Sequence, residues 1–175
     1  MAKGRKWISI VAKDFKDAVL GETFGDNVVG RKVVVNLMNV LNNPRRQNVN
    51  LVFKISEVRD NKAIAEVIGY RILSSYIKKS MRLGIDKVED SFLVECKDSK
   101  LKIKPYVLVM GKVYKSVLTG IRKSIEEFLK NEVKDKNFNE VIFSIVDAQI
   151  QTKLKKILHK VYPVGLCEFR IVEKV

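Results

Sequence analysis

Along the first two-thirds of the chain, apolar residues recur at every second position or in short β-branched runs, the spacing of half-buried strands. Residues 7–11 alternate, and Lys32-Val33-Val34-Val35-Asn36-Leu37 is β-branched. Segments 48–58 and 63–70 flank Asp60-Asn61-Lys62, a tight hairpin signal, and segments 88–97 and 101–110 flank Asp98-Ser99, a second turn signal. Between these hairpins, residues 73–83 carry apolar side chains at 73, 76, 77 and 81, one helical face, with Gly84 as the expected stop. The final third changes period. Val117, Leu118, Ile121, Ile125, Phe128 and Leu129 recur at helical spacing with Lys and Glu opposite. A second helical stretch, 139–162, is expected to break near 144–147 and to end at Pro163, before a closing strand over 166–172. Strands first, helices later and a returning strand predict an α+β fold: a mainly antiparallel sheet or partial β-barrel with C-terminal helices packed on it. No repeat, low-complexity segment or Gly/Ser linker divides the 175 residues, so residues 1–175 are expected to form one domain.

Charge alters this ordinary picture. There are 34 Lys and Arg against 20 Asp and Glu, a net charge of +14, and the self-repulsion implies an anionic partner. Membrane is the weaker candidate, because no stretch approaches the ~20 apolar residues a spanning helix needs. The basic start, with Lys3, Arg5 and Lys6, is followed by an apolar run that Ser9 breaks and Lys13 and Asp14 stop, too short for export. An intracellular, reducing setting is therefore expected. Cys96 and Cys167, each alternating with apolar residues, read as small buried hydrophobes.

The basic residues are not interspersed with acids. Residues 1–13, 27–56, 67–85, 99–125 and 148–167 contain no Asp or Glu. Neutral surfaces normally mix both signs, and acid-free windows suit phosphates, whose neutralisation releases counterions and makes binding salt-dependent. These windows supply the candidate RNA-binding residues Lys3, Arg5, Lys6, Arg31, Arg45, Arg46, Arg71, Lys78, Lys79, Arg82, Lys112, Lys115, Arg122, Lys123, Lys153 and Lys156. Within them, loop 42–50 is polar and places the planar guanidinium forks of Arg45 and Arg46 side by side. Its plainer alternative is a floppy hairpin tip. Aromatic residues make up only 8%; Trp7, Tyr76, Tyr106 and Tyr114 could stack on bases, but each is expected to pack. That favours recognition of backbone and shape over single-strand reading.

Catalytic motifs are wanting. Gly25 to Lys32 has the glycine spacing of a phosphate-binding loop, but Arg31-Lys32-Val33 stands where Lys and then Ser or Thr would be needed, and a β-branched segment follows in place of a helix. His159 is the only histidine and lies among lysines, and the pairs Glu89-Asp90 and Glu126-Glu127 read as solvated charge. No catalytic residue, metal site, cofactor or small-molecule substrate is expected.

Several segments, in order, resemble the ribosomal protein S-three-A-e family, the eukaryotic-type S-one of the small subunit, shared by archaea and eukaryotes. They are Lys6-Trp7 before a short strand, Gly30-Arg31-x-Val33 leading to Leu37, Gly69 followed by the basic run Ser74 to Arg82, Ile121-Arg122-Lys123 opening an amphipathic helix, and Val161-Tyr162-Pro163 leading to Phe169-Arg170-Ile171. The similarity extends over residues 6–174. The long basic N-terminal extension and C-terminal tail of eukaryotic members are missing, which favours an archaeal-type protein. The resemblance implies a non-enzymatic constituent of the small ribosomal subunit, in the cytoplasm. It implies a place on the platform near the rRNA 3′ end and the mRNA exit, with small-subunit rRNA and neighbouring ribosomal proteins as partners and mRNA nearby. It assigns RNA contact to Lys78, Lys79, Arg82, Arg122 and Lys123; the other candidates rest on charge pattern. A free RNA chaperone or RNA-processing cofactor is the alternative.

Overall fold

The computed structural model describes residues 7–15, 18–24, 28–59 and 62–175. Its elements, in chain order, are β1 (Trp7–Ala12), β2 (Ala18–Phe24), β3 (Lys32–Asn36), α1 (Leu37–Leu41), a 3₁₀ turn (Pro44–Arg46), β4 (Val49–Arg59), β5 (Lys62–Ile72), α2 (Ser74–Ser80), β6 (Lys87–Glu89), β7 (Phe92–Glu95), β8 (Lys100–Val109), α3 (Lys115–Val133), α4 (Phe138–Val146), α5 (Gln149–Leu158) and β9 (Val164–Lys174). The predicted α+β class, with mainly antiparallel pairing and C-terminal helices, is the class observed. The chain forms two compact units, residues 1–70 and 71–175.

In the first unit the strands pair in the order β2-β1-β5-β4-β3. β1 runs antiparallel to β2 and parallel to β5, and β3 runs antiparallel to β4. Alternation sorts β1 cleanly: Ile10 and Ala12 are buried, while Trp7, Ser9 and Val11 lie on the opposite face. Alternation also gives β4 its buried Leu51, Phe53 and Ile55 and β5 its buried Ala63, Ala65 and Val67. β2 is absent from the expectation above. Its run Ala-Val-Leu-Gly-Glu-Thr-Phe has no fully buried residue, so the sequence shows no core-facing stripe. α1 was concealed by its own apolarity, continuing the β-branched run; the Asn36 side chain caps it by accepting from the Met38 amide at 2.9 Å.

In the second unit β8 pairs antiparallel with β9 on one side and with β6 and β7 on the other. One predicted strand over 88–97 is thus two short ones. Pro105 sits inside β8, where it cannot donate to a ladder, and the register with β9 shifts between Lys104 and Pro105. α3 buries Ile121, Ile125, Leu129 and Val133, a stripe at i, i+4 spacing, against β6, β7 and α5. Burying each such side chain contributes about 1.5–3 kcal/mol. The predicted break in the second helical stretch falls at Asp147 and Ala148, the latter with φ of 61°, and the buried Gln151 side chain donates to the Ile145 carbonyl at 2.9 Å across it. Asn137 and Glu140 form a capping box that starts α4. α2 ends at Ser80, earlier than Gly84, with the Ser80 hydroxyl donating back to the Tyr76 carbonyl at 2.8 Å.

The cysteines divide. Cys167 is buried, and burial pushes its thiol up to about 12. Cys96 corrects the expectation: it lies past the end of β7, half-buried, with its thiol donating to the Ser99 carbonyl at 2.8 Å. The 96–99 turn takes it out of the alternating pattern.

Candidate nucleic-acid interface

The α2–β6 and β8–α3 loops of the second unit, with the helix ends beside them, carry five exposed cations and one carboxylate. Asp86, leading into β6, donates its backbone N–H to the Gly111 carbonyl at 3.1 Å and accepts from the Val109 amide at 2.9 Å. Its side chain then accepts from the Val113 amide at 2.9 Å. The α2–β6 loop and the β8–α3 loop are thereby fastened side by side. Gly84 and Gly111 turn these loops with φ of 79° and 104°, conformations that a side chain disfavours.

This fastening sets the segment that follows α2, with Arg82, beside the one that leads into α3, with Lys112; Lys78 and Lys79 lie on the end of α2 and Lys115 opens α3. All five are exposed, and none forms an ion pair with a described carboxylate. Residues 73–86 and 110–125 together contain one acid, Asp86, and it is committed to backbone amides. Lys78 and Lys79 stand in the last turn of α2, where positive charge complements the helix dipole. Lys112 and Lys115 flank the opposite kind of end, the start of α3, where no acid occupies the first turn. Positive charge there is locally unfavourable, and an anion would relieve it. Lys123 lies on the exposed side of α3 further along, also without an ion pair.

Other candidates in this unit are engaged. Arg122 pairs with Asp90 at 2.9 Å, and Arg71 donates from Nε to Glu173 at 2.7 Å. Lys153 reaches Glu132 at 2.8 Å, an oxygen shared with Lys136 at 2.6 Å, and hydrogen bonds from Lys136 and Lys153 hold the Glu132 carboxyl below its ordinary range. Lys156 is exposed on α5 and unpaired with any described carboxylate. The Glu89-Asp90 pair corrects its reading as solvated charge: Glu89 pairs with Arg170 and with Lys87, and Asp90 holds Arg122, so both serve the fold.

In the first unit, the Arg31 guanidinium donates to the Phe24 carbonyl at 3.1 Å and approaches the Thr23 hydroxyl at 3.4 Å. Arg45 and Arg46 lie on the 3₁₀ turn, which asparagines build. Asn43 caps the turn by accepting from the Arg45 amide at 3.1 Å, and Asn36 donates to the Gln47 carbonyl at 2.7 Å. The segment is ordered by its own side chains, unlike a floppy tip. Arg45 is exposed and Arg46 half-buried. Lys3, Arg5 and Lys6 lie outside the described residues.

The aromatics depart from the expectation that each packs. Tyr106 is buried and Tyr76 half-buried, but Tyr114 is 85% exposed and Trp7 65% exposed. The missed signal is position: Tyr114 falls between two lysines just before a helix, and Trp7 stands at the end of a strand, where packing partners are fewest. His159 is exposed at the end of α5. Beyond residues 25–27, which lie outside the described residues, the near-miss phosphate loop leads into β3, so no helix N-terminus follows it. Among the described residues no cluster of His, Cys, Asp and Glu could hold a metal ion, and no helix is long and apolar enough to cross a membrane.

The described residues define an α+β protein whose basic side chains are largely exposed, and comparison with known proteins places it in a family. Residues 2–175 match the model of the Ribosomal S3Ae family. The chain is 31% identical over 166 residues to the small ribosomal subunit protein eS1 of Nanoarchaeum equitans, covering 92% of this chain and 84% of that one. It is 28% identical over 180 residues to the protein of the same name from Methanothermobacter thermautotrophicus, covering 98% and 92%. A third eS1, from Staphylothermus marinus, is 28% identical over 171 residues, covering 95% and 81%. The chain belongs to the Ribosomal S3Ae family, as an archaeal-type member. That family is structural and non-enzymatic.

Proposed function

We propose that the chain is a structural constituent of the small ribosomal subunit and that it binds rRNA through the cluster Lys78, Lys79, Arg82, Lys112 and Lys115, extended along α3 by Lys123. One observation carries the assignment to these residues: five exposed cations lie on or next to two fastened loops whose only carboxylate accepts from the Val113 amide. Cations on neighbouring segments without a free carboxylate repel one another, and phosphate groups offset that repulsion. Arg45 and Arg46 supply a second contact in the first unit. Arg31, Arg71, Arg122, Lys153, Lys156 and the N-terminal Lys3, Arg5 and Lys6 are secondary candidates, several of them held by carboxylates or carbonyls. The family resemblance supports a place on the platform near the rRNA 3′ end and the mRNA exit, with neighbouring ribosomal proteins as partners, in cytoplasmic ribosomes.

Sedimentation of lysate at moderate salt tests the subunit assignment. The chain should travel wholly with the small subunit, and a mostly slow, unbound fraction in growing cells, as a free RNA chaperone would show, refutes it. The site is tested by Lys78→Glu, Lys79→Glu and Arg82→Glu together, which should block incorporation. Normal incorporation would place the RNA face elsewhere.

A further inference from the structure

β1 and β2 present an aromatic pair that the cation cluster does not use. Trp7 and Phe24 are direct cross-strand partners at the open end of the antiparallel pair. Their ring centroids are 5.1 Å apart with planes inclined by 46°, a tilted aromatic contact. Trp7 is 65% and Phe24 40% exposed. An indole facing water at that level loses most of the apolar burial that would explain its position, and exposed aromatics of this size mark contact sites.

Two described cations accompany the pair. Arg31 is anchored by its Nη1 donating to the Phe24 carbonyl, and among the described residues its Nε and Nη2 take no partner. Its own backbone is fixed as well, since the Ile55 amide donates to the Arg31 carbonyl at 3.0 Å and the Gly30 amide to the Ile55 carbonyl at 2.8 Å. Lys62 pairs in register with Ser9, so it shares the Trp7 face of the sheet. In sequence Lys3, Arg5 and Lys6 immediately precede Trp7. Glu22, opposite Ser9 on that face, is the one acid in β1 and β2. An apolar protein partner would leave this concentration of positive charge uncompensated, whereas a nucleotide brings a ring for the aromatics and a phosphate for the cations.

We propose that Trp7, Phe24 and Arg31 form a stacking site for an unpaired nucleobase of RNA, with Trp7 as the platform and Arg31 and Lys62 directed to the adjoining phosphates. The inference rests on the RNA-binding reading above but concerns a different unit and a different mode. The clustered lysines of the second unit neutralise backbone; this site takes hold of a base that is out of its helix. The nucleotide has two sources, rRNA and mRNA, which share this chemistry.

Trp7 is the only tryptophan, so its emission reports on the site directly. The purified full chain is titrated at low salt with a short fluorescein-labelled oligouridylate, following anisotropy and tryptophan emission together. Saturable quenching that tracks anisotropy is expected, because a stacked base quenches indole emission. Trp7→Ala should weaken binding about tenfold without changing the salt slope, since no phosphate contact is lost, and Trp7→Phe should retain most of it. Saturable binding with unchanged emission, or a blue shift without quenching, overturns the proposal, and so does a folded Trp7→Ala variant that binds like the parent. Failure of the parent to bind oligouridylate overturns this site and leaves the folded-rRNA reading, which incorporation of the Lys78, Lys79 and Arg82 triple variant tests separately. That triple variant should bind the oligonucleotide with quenching intact, and loss of the quenching would place the base at the other unit and overturn the proposal. Ultraviolet cross-linking separates the sources: a nucleotide adduct on the Trp7 peptide in subunits free of mRNA identifies rRNA. An adduct only after adding oligouridylate identifies mRNA, and none in either overturns the site.

Discussion

Two sets of basic residues in the second unit look alike in the sequence and differ in three dimensions. Lys78, Lys79, Arg82, Lys112 and Lys115 lie on two loops and the helix ends beside them without a described carboxylate partner, while Arg71, Arg122 and Lys153 each close on an acid from another element, Glu173, Asp90 and Glu132. Every one of the eight came from an acid-free window. What separates them is where the chain returns. β9 carries Glu173 alongside Arg71, the β6–β7 turn sets Asp90 against α3, and the end of α3 sets Glu132 against α5. A window free of acids along the chain is therefore not a surface free of acids. The paired cations lend the fold modest support, since exposed ion pairs contribute about 0–1 kcal/mol. The others make no such pair among the described residues and are available to a polyanion.

This contrast can be broken or sharpened by substitution. The largest effect is expected from reversing Lys78, Lys79 and Arg82 to Glu: affinity for small-subunit rRNA should fall on the order of a hundredfold near physiological salt, and the slope of log affinity against log salt should flatten by about 2 to 3. Filter binding across a salt series measures both, and an unchanged slope would remove these residues from the interface. Next comes Asp86→Ala, which takes the acceptor from the Val113 amide and leaves the two loops joined by the backbone bonds of residue 86 alone. A loss of about 1–2 kcal/mol in stability is expected by denaturant titration, with RNA binding weakened several-fold although no cation has been removed. Unaltered binding would show that the loops need no fastening by this side chain.

Smaller effects should come from the paired set. Arg122→Ala and Lys153→Ala should each change RNA affinity by less than about threefold and stability by less than about 1 kcal/mol. A tenfold loss of affinity in either would erase the distinction between paired and free cations. Acidity offers the mildest perturbation. The Glu132 carboxyl is held below its ordinary range by Lys136 and Lys153, so its favourable contribution is present above the unfolded carboxylate range and fades as pH falls through the folded value. Glu132→Gln should reduce this acid dependence by lowering stability near neutrality by up to about 1 kcal/mol while leaving stability in acid nearly unchanged. An independent check on the fold is thiol labelling at mild alkaline pH. Cys167, buried and raised to about 12, should resist alkylation until the chain unfolds, whereas Cys96 should react first.

How much of this could be read in advance varies with the physics of each element. Strands with one buried face and the long amphipathic α3 announce themselves, because burial imposes a period of two or of 3.6. β2 does not: its residues are half-buried or exposed, so no period is imposed. α1 lies within an apolar run that a strand would suit equally, and only the Asn36 cap distinguishes it. The cations of the candidate site were legible as residues, but the fastening of the two loops beside them was not, because it depends on Asp86 meeting residues 109 to 113. Trp7 and Tyr114 were expected to pack because large aromatics usually do. At the end of a strand and at the mouth of a helix the fold offers them too little to pack against.

The order of apolar and polar residues alone determined the α+β class, the identity of the buried stripes and the excess positive charge that calls for a polyanion. These are local or summed properties, and a chain carries them before it folds. Which cations stay free, which acids reach across to neutralise the others, and which aromatics face solvent was settled by tertiary structure. Those outcomes depend on distances of a few ångströms between residues tens of positions apart, and pairing of that kind exists only once the strands are in register and the loops are closed.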